Sequence, residues 1–329
     1  MGSRQRAGLL AVAAMCALAF LATAAQATTI TVGSVLPPGS APTEFKEVET
    51  FFNTALPEKG ANLSSPVTGA IIRWRVQDAE GGPFYLRVLR PTGSGAYIAV
   101  GKSSPATPSG PGLQTFTTNL AVHAGDLIGI DPSNGSDTIG VAAVEGASYS
   151  FIFPPPFDGA TVAPSGTAPG QEIELSAEIQ PAPVITEIAP GSGSVVGGKS
   201  VTITGFNLTA ASAVRFGSTA ATAFTVDSDT QITATVPPGT KVGPVDVTVT
   251  TLAGTSSTVR ADKFFYRGCA VPRLKGKSLK AAKKALTRAE CKLGKVKRAG
   301  GRAGVVLKQR PKPGKVLAPN AKVGVTVGS

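Results

Sequence analysis

The sequence predicts a mainly β protein: an N-terminal β-sandwich or jelly-roll-like domain, a second β-sandwich, and a small α+β module with one helix. Three observations predict it. Glycine and proline supply 39 and 26 of 329 residues, amid abundant Thr, Ser and Val, the composition of strands joined by tight turns. Apolar and polar residues alternate in short runs, as in Val201-Thr202-Ile203-Thr204 and Val245-Asp246-Val247-Thr248-Val249, the period of a strand with one buried face. Charge divides the chain into blocks: residues 28–180 carry a net −7, residues 181–267 a net +1, and the last 61 residues hold 17 Lys or Arg against the single acid Glu290. The net +12 of the whole chain is therefore a property of its tail. A mature length of about 300 residues suits two or three domains.

Residues 1–27 read as a signal peptide. Arg4 and Arg6 form a positive start, Gly8 to Leu21 an apolar stretch, and Ala25-Gln26-Ala27 a small-residue cleavage site, so the mature protein is expected to begin at Thr28. The apolar stretch is short for a membrane span of about 20 residues; an uncleaved anchor is the alternative. Cys16 follows Met15 rather than a small residue, which argues against a lipid-anchored leader. After cleavage no transmembrane anchor is expected.

Residues 28–180 form the first domain. Runs such as TITVGSV, VTGAIIRWRV, FYLRVLR, YIAVGK, LIGID and EIELSAEI are separated by Gly, Pro and Ser clusters, the spacing of two antiparallel sheets. The general look is similar to carbohydrate-binding or discoidin-like accessory domains, with no motif that fixes a family. Ile72, Trp74 and Val76 are expected on one strand face and Ile71, Arg73 and Arg75 on the other, which makes Trp74 a core residue rather than a sugar platform. FIFPPPF, from Phe151 to Phe157, reads as a structural crossover with its phenylalanines buried nearby; an exposed contact loop is the alternative. His123 is the only histidine, so a Ser-His-Asp or multi-His site would need that one residue to serve everything, and it reads as a partly exposed or satisfied residue at a strand end. Asp126 and Asp131 look like turn residues beside Gly125 and Pro132. The acids of this domain leave glycoside hydrolysis open, but none stands apart as a pair. No catalytic residue, metal site or cofactor is expected.

Residues 181–267 form the second domain, opening at the stiff Pro181-Ala182-Pro183 break. Ile188-Ala189-Pro190, Gly197-Gly198 before Val201-Thr202-Ile203, Gly205-Phe206-Asn207-Leu208, Phe216-Gly217, Ile232 with Pro237, and Phe264-Phe265-Tyr266 follow in order. On these marks residues 183–267 resemble the IPT/TIG family of immunoglobulin-like β-sandwiches. The resemblance implies a compact spacer or binding platform, and the fold alone does not choose between them. Asp227 and Asp229 read as turn residues before the strand at Ile232 rather than as calcium ligands.

Residues 268–329 form the third module. Val271-Pro272 with Leu274 and Gly276 suit a short opening strand, Ser278 caps a helix, and Leu279, Ala282, Leu286 and Ala289 fall at helical spacing. Gly294 is expected to end the helical region. Val306, Gln309, Pro311, Pro313-Gly314 and Val323, Val325 and Val327 suit two closing strands. On these residues, positions 269–329 resemble a PASTA repeat, which implies extracellular recognition of peptidoglycan or its fragments. The chain departs from the family's usual setting: it has one copy, no kinase segment and no Ser-x-x-Lys transpeptidase region, so neither activity is carried over. Cys269 and Cys291, an even pair in an exported chain, are expected to form a disulfide.

Charge points the same way. On the helix Lys280, Lys284 and Arg288 recur every four residues opposite the apolar stripe and repel one another slightly; Lys308, Arg310 and Lys312 add a second cluster. These cations, Lys280, Lys284, Arg288, Lys308 and Arg310 foremost, are the expected ligand contacts. The expected partner is peptidoglycan or an anionic wall polymer; hydration alone is the competing explanation of the charge. Nucleic acid is not expected, because no Phe, Tyr or Trp follows Tyr266 to stack on bases. The sequence reads as a secreted or wall-associated, non-enzymatic, bacterial binding protein. The rival reading is a carbohydrate-active enzyme or glycan binder acting through residues 28–180, with the tail for localisation.

Overall fold

The computed structural model describes residues 29–36 and 40–329; the expected leader, residues 1–27, lies outside them. The described residues form three successive units, each with its own apolar core. No helix among them is long and apolar enough to cross a membrane.

The first unit is built from two antiparallel sheets. A four-stranded sheet runs Ile30–Gly33, Leu175–Pro181, Gly69–Gln77, Leu113–Val122. An eight-stranded sheet has Thr161–Val162, Tyr97–Lys102, Tyr85–Pro91, Leu127–Asp131, Thr50–Ala55, Thr138–Ile152 and Gly166–Ile173 in order, with Ala41–Glu44 added on Thr138–Ile152. Ile71, Trp74, Val76, Leu86, Ile130 and Ile179 are buried between them. Trp74 is a core residue, 1% exposed, its ring centroid 4.6 Å from that of Phe116 at a tilt of 38°. One expected face is corrected. A register shift between Ile71 and Arg73 in the pairing with Leu113–Val122 turns Ile71 inward beside Trp74 and Val76 and leaves Ile72 half-buried, because a bulge breaks the period of two.

Of the two expected turn residues, Asp126 does close a turn, its N–H donating to the His123 carbonyl at 3.1 Å, whereas Asp131 ends the strand Leu127–Asp131. Both are buried. Asp131 accepts from Arg87 Nε at 3.0 Å and from Thr50 Oγ1 at 2.7 Å, and Asp126 holds Arg90 through both carboxylate oxygens, at 2.8 and 2.9 Å. Buried charges persist where they are paired and fully hydrogen-bonded. Arg87 also reaches Asp158 at 2.7 Å, which ties down the loop after Phe153. That loop does cross from Thr138–Ile152 to Thr161–Val162, but it leaves Phe153 and Phe157 exposed, Phe157 by 80%; of its three phenylalanines, Phe151 alone packs on the core.

The second unit packs a four-stranded sheet (Val184–Ala189, Ser200–Phe206, Gln231–Thr235, Ala223–Ser228) against a six-stranded one (Ser192–Ser194, Lys263–Arg267, Gly243–Thr251, Ala213–Phe216, Thr219–Ala220, with Gly254–Thr255 on Gly243–Thr251). Ser192–Ser194 lies parallel to Lys263–Arg267, and the other pairs are antiparallel. The alternating runs place Val201, Ile203, Val247 and Val249 in the core with Ile232, Phe216, Phe264 and Tyr266. Tyr266 donates its hydroxyl to the Pro237 carbonyl at 2.8 Å, and burial pushes its phenol up to about 12. Asp229 sits in the turn and accepts from Thr209 at 2.7 Å, whereas Asp227 lies within the strand Ala223–Ser228 and accepts from Thr233 at 2.7 Å.

The third unit wraps one helix, Leu279–Arg288, over a three-stranded sheet. Ser278 caps the helix by accepting from the Ala281 N–H at 3.3 Å. Ala282 and Leu286 are buried against Val306, Val323, Val325 and Val327. The helix ends at Arg288, with Glu290 at φ 52, well before the expected stop at Gly294. Gly294 instead lies inside an unforeseen strand, Lys292–Ala303, which pairs in parallel with Lys322–Gly328. Val306–Arg310 pairs antiparallel on the other side of Lys322–Gly328. Cys269–Ala270 pairs with Val316–Leu317, and Cys269 is bonded to Cys291 with their Cα atoms 4.7 Å apart.

Candidate anion-binding site in the C-terminal module

The central strand Lys322–Gly328 alternates strictly. Val323, Val325 and Val327 are buried toward the helix, which leaves the short residues Gly324 and Thr326 on the outer face. The two neighbouring strands carry long basic side chains at the matching positions. Lys297 stands beside Thr326 on one flank, Lys308 beside Thr326 and Arg310 beside Gly324 on the other. Small residues flanked by long ones make a groove. It encloses about 750 Å³ and is lined by Lys295, Lys297, Lys308 and Arg310 from the flanking strands and by Arg273 and Lys275 from the loop before the helix. Leu307, Gln309, Pro313, Gly324, Val325 and Thr326 complete it.

One side chain holds that loop in place. Gln309 Oε1 accepts the Leu274 N–H at 2.7 Å, and Gln309 Nε2 donates to the Pro272 carbonyl at 2.9 Å. The loop is further closed by Gly314, whose positive φ of 82° suits the Pro313-Gly314 turn and whose N–H donates to the Val271 carbonyl at 2.8 Å.

The groove has no internal counter-charge. Its lining contains no Asp or Glu, and every ion pair among the described residues lies in the first two units. Six cations with no acid between them create a field that gathers anions.

Family models match two of the three units: the IPT/TIG domain over residues 183–266 and the PASTA domain over residues 270–329. The tail carries a PASTA domain. No curated protein matches the chain. Among solved structures, one described as the full extracellular region of Plexin A4 is similar over 67% of this chain and 37% of that chain, at 13% identity. Its TM-score of 0.24 is too low to carry an argument.

Within the PASTA domain, the expected ligand contacts separate into two groups. Lys308 and Arg310 line the groove. Lys280, Lys284 and Arg288 are exposed on the helix, on the opposite layer of the domain, and take no part in it. Lys312 is exposed outside the lining. Arg273, Lys275, Lys295 and Lys297 were not singled out from the sequence. The signal for the last two is the Lys-Val-Lys alternation, which becomes visible only once residues 292–303 are known to be a strand.

The acids that the first domain brings together are sealed in its interior. Glu172 and Glu174 are each 0% exposed, and neither oxygen of Glu58 has a hydrogen-bond partner. Burial pushes the Glu172 carboxyl up to about 7; a hydrogen bond from Ser34 at 2.7 Å opposes this, while Glu58 and Glu174 reinforce it. Glu174 is raised by burial too, with Asp78 adding to it against the pull of Ser40.

Proposed function

We propose that this is a secreted or cell-wall-associated, non-enzymatic binding protein whose PASTA domain holds peptidoglycan or a related wall polyanion and displays the IPT/TIG domain and the N-terminal sandwich. The cationic groove carries the reading: six basic side chains converge on one cleft without an acid among them. Export is supported by the leader-like sequence of residues 1–27 and by the Cys269–Cys291 bond, since structural disulfides belong to oxidising compartments. The test is retention on purified cell wall. The full chain is expected to bind, and the variant combining Lys295→Gln, Lys297→Gln, Lys308→Gln and Arg310→Gln to pass through; equal retention of the two rejects the groove as the contact.

A second reading, glycan binding by residues 28–180, is supported by the exposed Phe153 and Phe157 on a loop held by the Arg87–Asp158 pair. Apolar ring faces are suited to stacking on sugars. A glycan screen with the full chain and with Phe157→Ala separates this reading from the first: a hit lost in that variant supports it, and a screen without hits removes it.

A further inference from the structure

We infer, building on the wall-binding reading, that the groove takes a linear polyanion of the phosphodiester class, laid along Lys322–Gly328, rather than a zwitterionic peptide fragment. The ligand class follows from what the groove offers and what it lacks. Lys295 and Lys297 stand on one flank of the central strand and Lys308 and Arg310 on the other. Residues two apart on a strand lie about 7 Å from each other, and strands sharing a neighbour lie about 10 Å apart. The cations therefore form two rails that meet an extended chain repeatedly along its length, as suits a backbone with one negative charge per short repeat.

The lining has no acid to receive an ammonium group. Glu290 is the only acid of the last 61 residues, and it sits at the helix end, outside the groove. A stem-peptide fragment with free amines would bring its positive charges among six others. A phosphodiester repeat carries no cation. The tail also has no aromatic ring after Tyr266, so stacking on sugars or bases contributes nothing, and charge must lead recognition.

The floor of the groove can be altered without disturbing the sheet. A Cβ on Gly324 would meet the carbonyl oxygens of Lys295 at 3.4 Å and Arg310 at 3.7 Å, ordinary contacts, and Gly324 does not require a positive φ. Gly324→Glu therefore places bulk and negative charge between the rails.

The experiment is calorimetric titration of the full chain with glycerol-phosphate oligomers of increasing length and, separately, with a phosphate-free muropeptide. The oligomers are expected to bind, more tightly as they lengthen, and to lose roughly 100-fold in affinity between about 50 and about 200 mM salt through counterion release. Gly324→Glu is expected to weaken them by at least about tenfold, while Lys280→Gln with Lys284→Gln and Arg288→Gln, a larger change in tail charge on the opposite layer, changes them less than about threefold. Should Gly324→Glu not fold, Lys297→Gln with Arg310→Gln makes the same test. Muropeptide binding without oligomer binding overturns the inference and leaves the wall-binding reading standing. Absence of binding to either probe and to whole wall overturns both. Equal losses in the groove and helix variants overturn the inference in favour of diffuse charge attraction.

Discussion

The side-chain amide of Gln309 bridges to Leu274 across 35 positions of sequence, its Oε1 accepting the Leu274 N–H at 2.7 Å. That bond, with the one from Nε2 to Pro272, fixes the loop bearing Arg273 and Lys275 to the strand bearing Lys308 and Arg310. The groove thus has two walls of fixed separation, and a polar residue of no charge sets it.

Gln309→Ala is expected to leave the Leu274 N–H without its partner and to cost the PASTA domain about 1 to 3 kcal/mol. Polyanion affinity should fall severalfold although no charge is lost. Amide hydrogen exchange at Leu274 reads the first effect and titration the second; unchanged exchange at Leu274 would show that the bridge does not form in solution.

Asp131→Ala removes the buried partner of the Arg87 guanidinium, which is 1% exposed, and leaves it only the half-exposed Asp158. Breaking one side of a buried pair costs about 3 to 5 kcal/mol, whereas Asp158→Ala, which removes a partner whose side chain is 54% exposed, should cost less than about 1 kcal/mol. Trp74, the only tryptophan of the chain, reports unfolding of the first domain by fluorescence. Similar midpoints for the two variants would contradict this ranking.

Glu172 makes the first domain sensitive to pH. Its folded-state value near 7 lies above the ordinary 4.5, so the fold binds a proton that the unfolded chain releases. Its contribution is most favourable below about pH 4.5 and declines as pH rises through 7, where the folded carboxyl must ionise in a buried site. Glu172→Gln keeps an acceptor for Ser34 and removes this slope. Measured through Trp74, the variant should match the parent near pH 4 and exceed it near pH 8 by on the order of 1 kcal/mol. A difference independent of pH would refute the assignment.

Reduction of Cys269–Cys291, which spans 22 positions, should destabilise the PASTA domain by roughly 3 kcal/mol in the chain-entropy treatment. The Trp74 transition should stay where it is. Calorimetric scans with and without reductant test both statements together, and a shift of the Trp74 transition would mean that the tail and the first domain unfold as one.

Much of this architecture is readable residue by residue. Alternation in Val201-Thr202-Ile203-Thr204 names a strand and its buried face, and Ser278 names a helix start, because these depend on neighbours within one element. The Lys-Val-Lys of residues 295–297 does not announce a strand, because Gly294, Gly300 and Gly301 surround it and glycine is unfavourable in strand interiors. Strict alternation puts Ile71 on the wrong face, since a bulge between paired strands leaves no mark in either strand alone.

Composition and local periodicity suffice for three modules, for a tail whose 17 cations against one acid outweigh the net +12 of the whole chain, and for a cysteine pair to staple it. Which cations meet depends on long-range strand pairing. Lys295, Lys297, Lys308 and Arg310 become neighbours because two flanking strands pair with the same central strand, and Arg273 and Lys275 join them because Gln309 anchors their loop. Register and strand order are set by long-range closure of the sheet around the helix. That is why the helical row Lys280, Lys284 and Arg288, the most regular basic pattern in the chain, lies on the opposite layer from the groove.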